Sequence, residues 1–105
     1  MEKTNTRFLQ SIEGKIYNIL SFHNLFLVYG SFLRIENNQV GNIAILSFDF
    51  SFNLKMTKEL NGGANGPIHY IVWERNHYLI FGIFNSWAGK TAHNLAILDQ
   101  SFHLV

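Results

Sequence analysis

The sequence predicts an all-β protein made of two four-stranded antiparallel units in tandem. Three observations carry this prediction: the chain repeats itself at an offset of 52 residues, each copy contains short apolar runs rich in β-branched and aromatic residues, and turn residues separate these runs. No stretch has an apolar helical period long enough to predict a helix. The units are expected at residues 1–56 and 57–105.

The internal repeat aligns residues 14–50 with residues 66–102 without a gap, and about a third of the aligned pairs are identical. The longest identical block is Ala44–Leu46 on Ala96–Leu98. A period near 50 residues is typical of stacked supersecondary units, so the chain is expected to be an internal duplication.

Each unit is expected to open with two strands joined by a tight hairpin. Asn24 and Asn76 lie between the two apolar runs, where the hairpin needs a polar residue that tolerates the left-handed conformation. The expected strand pairs are 16–22 with 24–32 in the first unit and 68–74 with 76–84 in the second.

A polar loop, a third strand and a short fourth strand are expected to complete each unit. Residues 57–67 contain three glycines and the only proline, which predicts a loop between the units. The expected third strands are 42–48 and 94–100, and the expected fourth strands are 50–56 and 101–105.

Four short antiparallel strands in a unit of about 50 residues are typical of a β-propeller blade. Both faces of a blade pack against neighbouring blades, which accounts for ten phenylalanines and 48% hydrophobic residues. The alternative is an eight-stranded sandwich or small barrel made of two duplicated hairpin pairs.

Three short motifs recur in both units, and one of them is an Asn-aliphatic-Ala-aliphatic-Leu strand. A Gly-x-Phe follows each hairpin, and an Asp-x-Ser-Phe follows each third strand. The chain therefore resembles the delta-sixty type of β-propeller repeat, from which it departs in having one glycine before each phenylalanine and only two repeats. The resemblance implies a propeller fold and a non-catalytic repeat role, with no catalytic residues to transfer. The motifs are Gly30-Ser31-Phe32, Asn42–Leu46 and Asp49–Phe52 in the first unit, and Gly82-Ile83-Phe84, Asn94–Leu98 and Asp99–Phe102 in the second.

Composition narrows the possible functions. A formal net charge of +1 supplies no basic field for nucleic acid or an anionic membrane. The absence of cysteine excludes thiolate metal sites and thiol nucleophiles, and together with the absence of a signal sequence favours a cytoplasmic location. No cofactor or metal is expected, because no histidines have metalloprotease spacing. The histidines are His23, His69, His77, His93 and His103.

Two sets of residues are candidates for specific roles. Asn42 and Asn94 open the third strands, where their amides could bind loop backbone groups. Trp87 lies beside polar side chains that suit a glycan, although a tryptophan wedged between blades is the favoured interpretation. The candidate ligand-binding residues are Asn85, Trp87, Lys90 and Asn94, and the expected structural residues are Gly30, Phe32, Asn42, Gly82, Phe84 and Asn94.

Two blades cannot close a ring and would leave two large apolar faces exposed. The expected function is therefore that of a structural or protein-interaction subunit, non-catalytic, in which copies of the chain or subunits of a larger assembly complete the ring. The alternative is a carbohydrate-binding lectin built from two-blade protomers. An enzyme is the least favoured class, because the sequence offers only scattered histidines and aspartates.

Overall fold

The structure is a computed structural model that describes residues 2–22, 24–58 and 62–105. A short helix precedes the first unit, and the first unit forms one sheet whose strands follow the order β1-β2-β4-β5, with β3 paired to β2. All these pairings are antiparallel. The elements are α1 (Glu2–Gln10), β1 (Ile12–Phe22), β2 (Leu25–Ile35), β3 (Asn38–Gln39), β4 (Ile43–Phe48) and β5 (Leu54–Lys58).

The second unit forms a sheet of three antiparallel strands in the order β10-β7-β6, and a separate two-stranded hairpin, β8-β9. A bridge between Leu98 and Leu104 begins a fourth strand at the outer edge of β10. The Val105 amide donates to the Ile97 carbonyl there at 2.8 Å. The strands are β6 (Ile68–Glu74), β7 (His77–Gly82), β8 (Ser86–Trp87), β9 (Lys90–Thr91) and β10 (Leu95–Leu98).

The prediction of an antiparallel all-β fold is confirmed, with corrections to its strands. In the first unit the fourth strand lies at Leu54–Lys58 rather than 50–56. In the second unit a single bridge takes the place of the fourth strand that was expected over 101–105. Residues 57 and 58 of the expected loop between the units belong to a strand instead, and residues 59–61 lie outside the described residues.

The sequence predicted no helix, and this is wrong at the N-terminus, where α1 spans Glu2–Gln10. Its sequence lacks an apolar stripe, and Phe8 alone among its described side chains is buried. The side-chain amide of Asn5 donates to the Phe52 carbonyl at 3.2 Å and accepts from the Leu54 amide at 2.7 Å. Because these partners are about 50 residues away in sequence, tertiary contacts rather than local pattern hold this helix.

The two units share the same backbone pattern. Asn24 and Asn76 have φ values of 62° and 63°, in the left-handed conformation that each hairpin requires. The third strands pair in the same register, with Tyr29 opposite Ile43 in one unit and Phe81 opposite Leu95 in the other. The sequence repeat is therefore also a repeat of backbone hydrogen bonding.

The recurrent Asp-x-Ser-Phe is a turn. The Oδ1 atom of Asp49 accepts from the amides of Ser51 and Asn53, each at 2.9 Å, and Asp99 accepts from the equivalent amides of Ser101 and His103 at the same distances. The phenylalanine of each motif has a positive φ, 61° at position 52 and 66° at position 102. The aspartate side chain stabilises this conformation, so the motif has a structural role.

The sheets stack on each other, and each has two distinct faces. Face A of the first sheet packs on face B of the second, and together they form one buried cluster. Face B of the first sheet lies on the opposite side, in a second cluster that includes Phe8 of α1. In the first sheet, face A is Leu20, Leu27, Tyr29, Ile43 and Ile45, and face B is Phe26, Val28, Ala44 and Leu46; in the second sheet, face B is Ile71, Tyr78, Ile80, Ala96 and Leu98.

The backbone of the first unit at Gly41 lies against the start of the second unit at residues 62–64. The Ala64 amide donates to the Gly41 carbonyl at 2.9 Å, and a Cβ atom at position 41 would overlap the Gly62 carbonyl oxygen. Gly41 has a φ of 66°. Both its conformation and its surroundings therefore require glycine, and this contact fixes how the second unit lies on the first.

Candidate interaction surface

The described histidines and acidic side chains are dispersed rather than clustered. No cluster of three or more histidine, aspartate or glutamate residues that could hold a metal occurs within 2–22, 24–58 and 62–105. His69 stacks on Tyr17 with ring centroids 5.2 Å apart, and His103 lies 3.8 Å from Asp99 on the surface. His23 lies outside the described residues.

Asp49 and Asp99 accept backbone hydrogen bonds that stabilise their turns. Backbone hydrogen bonding from His103 is the main cause that lowers the pKa of Asp99, and that from Asn53 is the main cause that lowers the pKa of Asp49. Both carboxylates are on the surface. A lowered pKa at an exposed turn is what the hydrogen bonds of the Asp-x-Ser-Phe motif produce without any catalytic demand.

The four candidate ligand-binding residues lie close in sequence but do not form a ring-stacking site. Trp87 is only 1% exposed and belongs to the core between the sheets, so its ring offers no face to a sugar. Lys90 is exposed and pairs with Trp87 through the backbone of the β8-β9 hairpin. The Asn85 Oδ1 atom is 3.0 Å from Nδ1 of His93. Burial of the tryptophan leaves the carbohydrate hypothesis without its aromatic platform.

The two strand-opening asparagines differ in their surroundings. Asn42 is 2% exposed; its Oδ1 atom accepts from the Phe32 amide at 2.9 Å, and its Nδ2 atom donates to the Ala64 carbonyl of the second unit at 3.0 Å. Asn94 is exposed, and its amide lies 3.2 Å from the carbonyl oxygens of Gly82 and Phe84. Asn42 thus connects the two units, whereas Asn94 binds within its own unit.

The remaining predicted structural residues lie at the end of each hairpin. Phe32 and Phe84 are buried, in the cluster on face B of their own sheets. A Cβ atom at Gly30 would overlap the Lys15 carbonyl oxygen, and one at Gly82 would overlap the Pro67 carbonyl oxygen. These glycines therefore let the first two strands of each unit approach at the bulge, which is a packing role.

A groove of about 500 Å³ opens where the units meet, near Asn42. Glu13 and Arg34 lie on the first-unit side, and Asn65 with Pro67 lies on the other. The Asn65 Oδ1 atom accepts from the amides of residues 85 and 86, at 2.8 Å and 3.1 Å, so it serves the loop. The four candidate ligand-binding residues do not line this groove.

The surface that stands out is face A of the second sheet, here called the open face. Its side chains are apolar; five of the six are exposed, from 38% for Phe81, Leu95 and Ile97 to 66% for Tyr70, and Leu79 is half-buried. They form adjacent rows across three strands, because Phe81 on the central strand pairs with Tyr70 on one side and with Leu95 on the other. The open face consists of Tyr70, Val72, Leu79, Phe81, Leu95 and Ile97.

On the second and third strands, the equivalent positions in the first unit are buried; on the first strand, the counterpart of Val72 is the partly buried Leu20 and that of Tyr70 is the exposed Asn18. Leu27 and Ile43 are 0% exposed and Ile45 is 2% exposed, because the second sheet covers them. Their counterparts 52 residues later are Leu79, Leu95 and Ile97, which keep the same aliphatic character without a cover. The open face is therefore a copy of a surface that already makes a sheet-to-sheet contact in this molecule.

Sequence reasoning predicted exposed apolar faces without locating them. It expected two, and the structure corrects this for the described residues, because α1 contacts the first sheet on face B. The alternation of side chains along β6, β7 and β10 could have identified the open face, because it places every second apolar residue on one side. The helix had no such signal.

Comparisons with models of protein families, with curated proteins and with solved structures found no match to this chain. Among the residues that the structure describes, no helix is both long enough and apolar enough to span a membrane.

Proposed function

We propose that this chain is a non-catalytic repeat module, a structural or protein-interaction subunit that associates with further sheets through the open face. Its two units correspond in this proposal to β-propeller blades. The observation that carries it is the open face itself: six apolar side chains on three strands, four of which have first-unit counterparts that a neighbouring sheet buries, namely Leu27, Tyr29, Ile43 and Ile45.

Exposed apolar side chains in adjacent rows favour burial against another protein. Soluble monomers expose scattered apolar residues, but a contiguous patch across a sheet marks an interaction site. The formal charge of +1 supplies little long-range electrostatic selection for a partner. Apolar burial is therefore the main free energy that this surface offers to a complex.

The contact between the two units also supports head-to-tail assembly of several chains. Face A of one unit meets face B of the next, which is a heterologous contact rather than a symmetric one. When such a contact is repeated between molecules, it closes a ring if the rotation allows and otherwise extends into a filament. Completion by copies of the chain or by a larger assembly both follow from this geometry.

Light scattering over a range of protein concentrations tests the proposal. Ile97→Lys places a charge in the open face, and Gln100→Lys adds the same charge in the exposed turn beside it. We expect the wild-type chain and Gln100→Lys to associate above the 12.1 kDa of one chain, and Ile97→Lys to remain a monomer. A folded wild-type monomer at every concentration would contradict self-association.

A further inference from the structure

We propose that the open face binds face B of the first sheet of a second copy, and that α1 competes for the same face. This inference rests on the proposed function, and it names both the partner surface and the element that limits access to it. In the contact between the two units of the chain, face A of the first sheet packs on face B of the second. A second copy offers one face B outside its own sheet stack, on its first sheet.

The two B faces have nearly the same chemistry. Val28, Ala44 and Leu46 of the first sheet correspond to Ile80, Ala96 and Leu98 of the second. The latter three side chains are the ones that pack against face A within the chain. The first sheet therefore carries a surface of the kind that its own face A already binds.

The A faces match in the same way. Leu27 and Ile45 correspond to Leu79 and Ile97, and Tyr29 corresponds to Phe81. A contact between two copies would therefore bring together side chains equivalent to those in the contact between the two units. It is restricted to the sheet faces, because His93 takes the place of Gly41 and its side chain prevents the close loop approach seen there.

Helix α1 occupies face B of the first sheet. Phe8 is 6% exposed and packs in the cluster that contains Val28, Ala44 and Leu46. The helix contacts the two outer strands of the sheet, β1 and β5, so it lies across this face. A second copy can reach face B only after α1 moves away.

The helix is held weakly enough for such competition. It has nine residues, whereas isolated helices shorter than about 12–15 residues are marginal in water. Phe8 anchors it in the face B cluster, and Asn5 makes one hydrogen bond to the turn at Phe52 and one to Leu54 at the start of β5. Leu9, the next residue, is 47% exposed and supplies a matched control on the same helix.

The test uses the whole 105-residue chain, and every charged substitution is to lysine, so that all the charged variants carry the same added positive charge at each changed position. Phe8→Lys removes the apolar anchor of α1, and Leu9→Lys adds the same charge without removing a buried side chain. We expect Phe8→Lys to associate at about tenfold lower concentration than the wild type, since displacing α1 no longer exposes a buried aromatic ring. Leu9→Lys should behave as the wild type.

A mixing experiment tests which faces meet. The double variant Phe8→Lys/Ile97→Lys has an accessible face B and a blocked open face, so alone it should be monomeric. Mixed with the wild-type chain at a concentration where the wild type alone is monomeric, it should form a 1:1 complex of two chains, measured by native mass spectrometry. No complex would overturn the inference, and so would association of the double variant with itself, which would indicate nonspecific contacts.

The outcomes separate this inference from the proposed function. If Ile97→Lys abolishes wild-type association but Phe8→Lys leaves it unchanged, the open face is an interface and the assignment of face B is wrong. If no variant or wild-type chain associates, both fail. Circular dichroism checks folding, and Phe8→Ala serves in place of Phe8→Lys if lysine unfolds the chain, with a smaller shift expected in the same direction.

Discussion

Ile45 and Ile97 occupy the same position in the two units, but Ile45 is 2% exposed and Ile97 is 38% exposed. The change to alanine removes three carbon atoms, or about 2.4 kcal/mol of transfer free energy when the side chain is fully buried. A residual cavity raises the cost of Ile45→Ala to about 3–4 kcal/mol. Ile97→Ala leaves no closed cavity and should cost about 1–1.5 kcal/mol.

Urea unfolding of dilute samples measures this difference. With a slope of about 1–1.5 kcal/mol per molar urea, a gap of about 2 kcal/mol separates the two midpoints by about 1.3–2 M. Dilution matters, because association through the open face would bury Ile97 and raise the cost of its truncation. Equal losses for the two variants at the lowest measurable concentration would refute the claim that only one of these faces is covered within the chain.

Three further predictions concern the contact between the units and the turns. Gly41→Ala should destabilise the fold by more than about 2 kcal/mol, because its Cβ atom would overlap the Gly62 carbonyl oxygen; an unchanged melting curve would exclude this. Asn42→Ala leaves a buried carbonyl and a buried amide without their partner and should cost about 1–3 kcal/mol, whereas Asn94→Ala should cost well under 1 kcal/mol, and similar urea midpoints would contradict the distinction. The pKa of Asp99 lies below its ordinary value of 3.8, so its contribution to stability is present above that pH and is lost as the pH falls through the lower, folded value. A carboxyl carbon NMR titration midpoint at or above 3.8 would contradict it.

The strands could be predicted because their signals are local. Asn24 and Asn76 mark the hairpins by a backbone conformation that few other residues adopt, and the third strands are short apolar blocks with polar ends. The duplication then doubled every signal, since each feature of one unit could be checked in the other. The fourth strands could not be placed, because the turns at Asp49 and Asp99 occupy residues with the same apolar character as a strand.

The parts that escaped prediction depend on contacts between distant residues. Helix α1 has only two apolar residues, Phe8 and Leu9, and Phe8 alone among its described side chains is buried, so its position on the first sheet explains it. Trp87 stood beside polar residues in sequence, which suggested a ligand site, but its strand turns the ring into the core between the sheets. Which apolar face remains open depends on how the units stack. The close approach of the Gly41 backbone to Gly62 fixes that stacking.

Methyl NMR with a water-soluble paramagnetic probe tests the open face most directly. In dilute solution the account predicts strong relaxation of the Ile97 methyl signals and little relaxation of those of Ile45. As the concentration rises and the measured mass increases, the relaxation of Ile97 should fall toward that of Ile45. A relaxation of Ile97 that stays low in the monomer, or stays high in the assembled state, would contradict the claim that this face is open in the chain and closed by association.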